Sequence, residues 1–320
     1  MGNCLGLQRK TKPEIVPTEF VKPSITLYGS PSNLSTLYIH FALLVKPVIL
    51  HFIPDHNSLF GSDNPVLQFG SETVSGPPET LLLYLDSKFP HPPLTRSNRP
   101  GSDLGIVLVS VLQHRSLTWH LGRMVRWVED LVTRGGRRGV EVMGSPKMEV
   151  RKFGKSYGQL LEVLLEHAQM EERIIFQLLD FSDPGLCRSA NEEHARDLPI
   201  MNGIKEDIKS ITVLDIGGPG YQEALTNLST RLKTLQNNCM EHFEEEEREL
   251  LPLMGAIELN KGHNERLLDQ CLEVMEATHS HLFCYFIEGL LPHDAMHYLN
   301  LIMKCTNKGR IASMLRTLVE

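Results

Sequence analysis

Apolar positions after residue 104 recur at alternating spacings of three and four residues. This spacing keeps one face of an α-helix apolar and is typical of helices that pack in a bundle. Regular seams run over 104–132, 157–178 and 225–249, and a less regular one runs over 194–211. The pattern predicts an up-down four-helix bundle over 104–254.

The chain before residue 104 has a different texture, with short apolar runs separated by prolines and glycines. These runs predict strands and helices in the order β-α-β-β-β-α. They lie at 24–29, 35–44, 48–53, 66–70, 72–75 and 79–88. The predicted fold class is therefore mainly α, with a small α/β domain over 20–90 preceding the helical bundle.

Three further segments complete the predicted domain organisation. Residues 91–103 are rich in proline and polar residues, which is typical of a linker. Residues 133–155 are polar and glycine-rich, which predicts a long loop inside the bundle. Residues 255–320 contain apolar helices, predicted at 264–289 and 294–303, that we expect to pack on the bundle.

The composition limits the function classes more than it limits the fold. The 32 Lys and Arg residues are outnumbered by 39 Asp and Glu residues, and the net charge of −7 disfavours a nucleic-acid partner. The six cysteines include no C-x-x-C pair, so a reducing compartment is the simpler expectation. No stretch provides the ~20 apolar residues of a membrane-spanning helix.

The first residues, MGNCLG, are similar to an acylation signal. Loss of Met1 would expose Gly2, the residue type that N-myristoylation requires, and Cys4 can take a second acyl chain. Gly6 stands where the motif has Ser or Thr. Because two acyl chains, or one with basic residues, anchor a protein stably, we expect segment 1–19 to be a lipid anchor at the cytoplasmic face of the plasma membrane. The alternative is an ordinary N-terminus on a cytoplasmic protein.

Titratable side chains interrupt the apolar seams of the predicted bundle at similar heights. There are six of them, in the order His, His-x-x-x-Glu, His, His-x-x-x-Glu: His114, His167, Glu171, His194, His242 and Glu246. Residues four apart share a helix face, so the His and Glu of each pair can reach one metal ion. Unpaired buried carboxylates are costly, and a pair of metal ions would compensate them. The alternative is a hydrogen-bonded polar layer, or partly exposed residues on the helix flanks.

The strings around these residues resemble the hemerythrin-like, HHE cation-binding domains. LLEHAQMEERIIF and CMEHFEEEERELLPLM resemble the two His-x-x-x-Glu helices of that family, and QHRSLTWH and NEEHARDLP resemble its two single-His helices. The resemblance implies a centre of two iron ions with a bridging oxide or hydroxide, and Mn or Zn are the alternatives. It assigns His114, His167 and Glu171 mainly to one iron and His194, His242 and Glu246 mainly to the other, with both glutamates bridging.

Two departures from the oxygen-carrying hemerythrins direct the functional prediction. Leu198 stands where those proteins have an additional His, and their last ligand is an Asp five residues after the fourth-helix His, whereas Glu246 lies at four. The ligand set is more similar to the iron-sensing hemerythrin domain of an F-box ubiquitin-ligase subunit. This favours iron- or oxygen-linked sensing, or iron sequestration. A di-iron oxidase that consumes O2, and a metal-free membrane scaffold, remain the alternatives, and no protein partner is indicated.

The α/β region resembles the thioredoxin-like N-terminal domain of glutathione S-transferases through LYGSPSNLS, NPVLQFG and TLLLYLDSKFP. Pro65 falls where that family has its cis-proline, and Asn33 falls near its catalytic hydroxyl. Pro77 and Pro78 occupy the places of the Glu-Ser pair that grips glutathione, and proline supplies neither side-chain group. The resemblance therefore implies a structural or interaction module, and a glutathione-dependent enzyme is the alternative. The sequence therefore favours a binding protein, and an enzyme stays open as the alternative.

Several other His and Glu residues of the helical part are not predicted as metal ligands. His120 lies off the seam and is predicted at the surface. Glu172 and Glu245 adjoin predicted ligands but point elsewhere, so a supporting contact is open to them. His293 and His297 have metal-ligand spacing with no nearby carboxylate, and we expect no metal there.

Overall fold

The computed structural model describes residues 22–55, 64–95, 105–135, 145–257 and 261–320. They form a small four-stranded α/β unit followed by helices. The mainly α fold class is therefore confirmed, whereas the predicted domain boundaries stay predictions. The predicted acylation sites Gly2 and Cys4 lie outside the described residues. Within the described part, no helix has both the length and the apolar character needed to span a bilayer.

The α/β unit has the predicted order of elements. They are β1 (Ser24–Gly29), α1 (Leu34–Leu44), β2 (Ile49–Pro54), β3 (Val66–Phe69), β4 (Glu72–Ser75) and α2 (Pro78–Lys88). The sheet order is β2-β1-β3-β4, with β1 parallel to β2, and β3 antiparallel to β1 and β4. Ile25 and Leu27 alternate with half-exposed residues along β1, so one face of the sheet forms the core.

Local side chains explain where the helices of this unit begin. Asn33 caps α1, since its Oδ1 accepts a hydrogen bond from the Thr36 backbone N–H at 3.1 Å. The residue predicted near a catalytic hydroxyl is therefore a helix cap. Pro77 and Pro78 begin α2, and no side chain caps this helix. Among the described peptide bonds only His91–Pro92 is cis, so Pro65 does not have the cis bond that the resemblance implies.

The helical part contains the four predicted bundle helices. They are α3 (Gly105–Arg134), α4 (Pro146–Met170), α6 (Arg188–Val213) and α7 (Pro219–Glu245). A π-helical turn at Glu171–Ile175 joins α4 to α5 (Phe176–Ser182), and another at Glu246–Leu250 joins α7 to α8 (Leu251–Ala256). The chain ends in α9 (Lys261–Val274), α10 (Phe283–Glu288), α11 (Pro292–Ile302) and α12 (Lys308–Val319).

The predicted loop over 133–155 is partly wrong. Helix α4 already begins at Pro146, because Ser145 accepts a hydrogen bond from the Met148 backbone N–H and proline suits the first helical position. Ser156, directly after the predicted loop, lies buried inside the helix.

The predicted continuous helix over 264–289 is also wrong, since α9 ends at Val274 and α10 begins at Phe283. The Glu166 carboxylate of α4 accepts hydrogen bonds from the backbone N–H groups of Ala277 and Thr278, each at 2.8 Å. These two backbone N–H groups therefore bond to a side chain and not to the carbonyls of a continuous helix. Helices α9, α10 and α11 pack against α3, while α12 packs against α1 of the α/β unit.

A buried ion pair fixes the end of the α/β unit. The Lys46 ammonium is fully buried, lies 2.7 Å from an Asp86 carboxylate oxygen and donates to the carbonyls of Phe89 and Pro92. Asp86 also accepts from the backbone N–H of Leu94 at 2.9 Å. Together these bonds hold the segment after α2 against the unit.

We expect Asp86→Ala to lower the free energy of unfolding by about 3 kcal/mol, because it leaves the Lys46 charge buried without its partner. Urea denaturation followed by circular dichroism measures this loss. Glu72→Ala is the control, since it removes an exposed ion pair with Lys88. An equal loss in both variants would contradict the interpretation.

Candidate metal centre

The six predicted ligands lie together at one level of the bundle. Four helices each contribute one His: α3, α4, α6 and α7. Glu171 and Glu246 are the first residues of the two π-helical turns. Such a turn shifts the helix register by one residue, so the side chains after each glutamate face different neighbours from those they would face in a continuous α-helix.

The ligand atoms form two overlapping groups that can each hold a metal ion. One group comprises His114, His167, Glu171 and Glu246, and the other comprises Glu171, His194, His242 and Glu246. Within each group the candidate atoms lie within 4.8 Å of one another. Both glutamates belong to both groups, so each has carboxylate oxygens available to either group.

Each histidine directs its Nε2 atom to the centre. His167 Nε2 lies 3.2 Å from a Glu171 oxygen, and His242 Nε2 lies 3.4 Å from a Glu246 oxygen. His114 Nε2 lies 3.4 Å from both carboxylates. The Nε2 atoms of His194 and His242 are only 2.9 Å apart. The arrangement therefore brings six electron-pair donors to one small volume.

Each histidine uses its other nitrogen to bind a neighbouring acceptor. The Nδ1 atoms of His114 and His194 lie 2.9 Å from carboxylate oxygens of Glu247 and Glu172 respectively. His242 Nδ1 lies 2.7 Å from Glu193. His167 Nδ1 lies 2.9 Å from the side-chain oxygen of Gln113. An acceptor at Nδ1 fixes the proton there and leaves the Nε2 lone pair for a metal ion.

These supporting contacts extend the internal repeat of the sequence. Glu172 and Glu247 directly follow the two central glutamates. Glu172 contacts His194, and Glu247 contacts His114, so each contacts the His of a single-His helix in the other half. Gln113 and Glu193 directly precede the His residues of the single-His helices. Gln113 contacts His167, and Glu193 contacts His242, so each contacts the His of a His-x-x-x-Glu pair. The two halves therefore support their ligands through equivalent contacts.

The chemistry of the donor set fits a bound cation. Several buried atoms at the centre make no hydrogen bond to the described part of the chain: His167 Nε2, Glu171 Oε2 and both carboxylate oxygens of Glu246. Buried polar atoms are rarely left unsatisfied, and these converge on one point. Imidazole nitrogens and carboxylate oxygens are ligands that iron, manganese and zinc accept.

The two central carboxylates repel each other. Burial opposes ionisation of Glu171, but the nearby histidines His167 and His114 outweigh it and hold the Glu171 pKa well below its usual range. Burial and the charge of Glu171 raise the pKa of Glu246. A positive ion between the two would stabilise both carboxylates in the ionised form.

The histidines respond to the same surroundings in different ways. Burial lowers the pKa of His167 to about 3. Burial also disfavours the charged form of His194, but hydrogen bonds with Glu171 and Glu172 outweigh it and raise the pKa to about 9. A proton on His194 therefore places positive charge beside Glu171 and Glu172.

Three predictions about neighbouring residues are corrected or completed by the structure. His120 is buried rather than exposed, with Nε2 lying 2.8 Å from the Tyr285 carbonyl, because α10 covers this side of α3. Glu245 is exposed, and Glu247 takes the supporting role instead. Leu198, on the predicted core face of α6, is 44 % exposed.

A cavity of about 370 Å³ adjoins the centre. It lies between α4, α6 and α7, and its wall includes His167, His194 and His242. Most of the remaining lining is apolar, with Leu198 and Phe243 among it. A small molecule in this cavity would therefore contact the histidine side of the centre.

We expect Glu193→Ala to weaken metal binding by about 10- to 100-fold, because His242 loses the acceptor that orients its ring. Competition between the protein and a chelator for Fe(II) under anaerobic conditions measures the affinity. Glu192→Ala is the matched control, since Glu192 is an exposed neighbour paired with Arg188. A loss of equal size in the control would contradict the role of Glu193.

Comparison with known protein families agrees with this geometry. Residues 111–254 match the model of the hemerythrin HHE cation binding domain, a match that covers the helices bearing all six residues and less than half of the chain. The comparisons with curated proteins and with solved structures gave no match. The α/β unit lies outside the matched segment, so its thioredoxin-like identity stays a prediction. The match and the two His/Glu groups together support a hemerythrin HHE cation-binding domain at residues 111–254.

Proposed function

We propose that this protein binds two iron ions in a non-haem di-iron centre and serves iron- or oxygen-linked sensing, or iron sequestration. The observation that carries the proposal is the convergence of four Nε2 atoms on two buried carboxylates whose oxygens are mostly unpaired. An ordinary exposed acidic cluster has its carboxylates in water, whereas these carboxylates are buried. Iron is the metal typical of the matched domain, and manganese and zinc are the alternatives that the experiment separates.

The proposed ligand assignment follows the two groups of donor atoms. His114 and His167 would hold one iron and His194 and His242 the other, and Glu171 and Glu246 would be available to both. The iron pair would supply a redox change and positions for an oxygen ligand. The chain supplies orientation, because the acceptors at the Nδ1 atoms keep every Nε2 atom directed inward.

Sensing or sequestration is supported by the electrostatics of the donor set. Two buried carboxylates close together destabilise the folded state unless a cation separates them. Metal binding is therefore coupled to folding, and the stability of the bundle depends on the iron concentration. A second candidate, a di-iron oxidase, is supported by the cavity of about 370 Å³ beside the centre.

The α/β unit is proposed as a degenerate thioredoxin-like module with a structural or interaction role. Its strand order β2-β1-β3-β4, with a parallel β1–β2 pair, supports this proposal. Asn33 caps a helix, and Pro77 and Pro78 begin another, so neither place supports glutathione chemistry. Attachment to the cytoplasmic face of the plasma membrane through Gly2 and Cys4 is a separate proposal that rests on the sequence alone.

We expect the purified full-length protein, reconstituted anaerobically with Fe(II), to retain about two irons per chain by elemental mass spectrometry, one for each His pair. After exposure to air, absorption between ~300 and 400 nm would indicate an oxo-bridged pair with N/O ligands. Retention of Mn or Zn in preference to iron would replace the proposed metal. Rapid consumption of O2 or peroxide would favour the oxidase, and no bound metal would favour a metal-free scaffold.

In the same experiment His167→Ala and His242→Ala should each lose iron and also the thermal stabilisation that iron provides. His281→Ala is the control, because His281 is exposed and lies outside both donor groups. If both ligand variants kept the iron content and melting temperature of the parent, the assigned centre would be wrong.

We expect Gly2→Ala to move the protein from the membrane to the soluble fraction. The variant loses the myristoyl chain on Gly2 and, with it, the acylation of Cys4 that depends on it. Fractionation of cells that express the parent or the variant measures this distribution. Gln8→Ala is the control within the same segment, since Gln8 lies outside the acylation motif. An unchanged membrane fraction for Gly2→Ala would rule out the lipid anchor.

A further inference from the structure

A second cavity lies beside the first along the interface between α4 and α6. Its volume is about 410 Å³, and its wall consists of residues of these two helices. Leu165 lines both this cavity and the cavity of about 370 Å³ at the metal centre, so the two adjoin. Together they form an α4–α6 groove that extends from His167 and His194 at its inner end to Gly154 and Lys209 at its outer end.

The groove has the length of a lipid acyl chain. Lys205 in its outer part and His194 at its inner end are 11 residues apart on α6, which corresponds to about 16 Å along a helix. The hydrocarbon core of a bilayer is ~30 Å thick and consists of two layers of chains, so a single chain extends over ~15 Å. One acyl chain therefore spans the distance between these two residues.

The side chains along the groove are mostly apolar. The wall of the outer cavity includes Leu161 and Tyr157, whose hydroxyl already donates to the Met201 carbonyl at 2.8 Å and leaves the ring as the lining surface. In the inner cavity Leu198 is 44 % exposed, and Phe243 lies in the same wall. A hydrocarbon chain in the groove would remove this apolar surface from water, which is favourable.

Gly158 leaves open space in the wall of the outer cavity. A Cβ atom at Gly158 would meet no atom within 4 Å, whereas a Cβ atom at Gly154, one turn earlier, would lie 2.9 Å from the Ile208 side chain. Glycine is a poor helix former, and Gly158 lies inside α4. The missing side chain therefore gives the groove width at a place where the helix itself would be more stable with a larger residue.

The outer part of the groove has positive charge. Lys205 and Lys209 both belong to its wall. Lys209 lies 2.6 Å from Glu206, whereas Lys205 is exposed and forms no ion pair with any residue that the structure describes. Glu162 lies in the same wall, with His281 at 3.7 Å from its carboxylate. Lys205 is therefore the cation of this wall that is best placed to bind an anionic group.

The inner cavity has negative charge in its wall. Asp197 is buried there and accepts a hydrogen bond from the Asn238 amide at 2.7 Å. Glu172 belongs to the same wall and lies 2.9 Å from His194. Two carboxylates repel an anionic head group, and Lys205 attracts it. A ligand with one anionic end would therefore place that end in the outer cavity and its apolar part in the inner one.

We propose that the α4–α6 groove binds a fatty acid, with the carboxylate at Lys205 and the hydrocarbon chain extending past Leu165 into the cavity beside the metal centre. The inference goes beyond the proposed function, because the contacts that hold this ligand come from side chains of α4 and α6 and do not require iron.

The first measurement is a calorimetric titration of laurate into the purified full-length protein, before and after reconstitution with iron. We expect saturable binding in both forms. Lys205→Glu should weaken this binding about tenfold, because it replaces an attraction for the carboxylate with a repulsion. Lys304→Glu is the matched control, since Lys304 is exposed, lies outside the groove and changes the net charge equally.

The second measurement uses Gly158→Leu, which fills the open space in the groove. We expect this variant to lose laurate binding while its melting temperature is unchanged or higher, because leucine is a better helix former than glycine. The unchanged or raised melting temperature shows that the variant folds. Gly220→Leu is the control, because Gly220 is a helical residue of α7 whose added Cβ atom also meets no atom within 4 Å.

The outcomes separate the parts of the proposal. No saturable binding, or binding that Gly158→Leu leaves unchanged, would overturn the groove as the site. Equal binding of laurate and the neutral dodecanol would overturn the carboxylate contact and favour an esterified or amide-linked chain. Binding only by the iron form, with no effect of Lys205→Glu, would overturn the proposed orientation. A parent that binds laurate but no iron would refute the proposed function and support this inference.

Discussion

The repulsion between two buried carboxylates is the constraint on which the bundle depends. Glu171 and Glu246 occupy the same small volume, and neither is exposed to water. The histidines around them reduce the resulting penalty, and a bound cation would reduce it further. The apolar packing above and below this level supplies the stability that allows such a polar layer to exist in a folded bundle.

Much of this centre could be predicted from the sequence because helical periodicity determines direction. The alternating spacing of three and four placed His114, His167 and Glu171 on core-facing lines, and the structure brings them together with their counterparts from the other half. The strands of the α/β unit were likewise predictable, since short alternating runs bounded by turn residues have few other solutions.

The supporting contacts were harder to predict, since they depend on how helices are rotated against each other. Glu193 and Glu247 adjoin ligands in the sequence, but only the π-helical turns and the packing of α6 decide which neighbour reaches a ring. His120 was predicted at the surface because the seam leaves it on a flank. Helix α3 is covered by C-terminal helices on that flank, and a long-range contact of this kind leaves no periodic signal.

The two halves of the proposed centre differ in the residues behind their histidines, and this difference would affect the order in which ions enter. Two carboxylates, Glu172 and Glu193, stand behind the histidines of one position, whereas one carboxylate and the neutral Gln113 stand behind those of the other. If the proposed centre binds two divalent cations, the first would be attracted more strongly to the position of His194 and His242. That ion would lower the repulsion between the shared glutamates and so change the affinity for the second. Under the proposed sensing role, two unequal loading steps would report a range of metal concentrations rather than a single threshold.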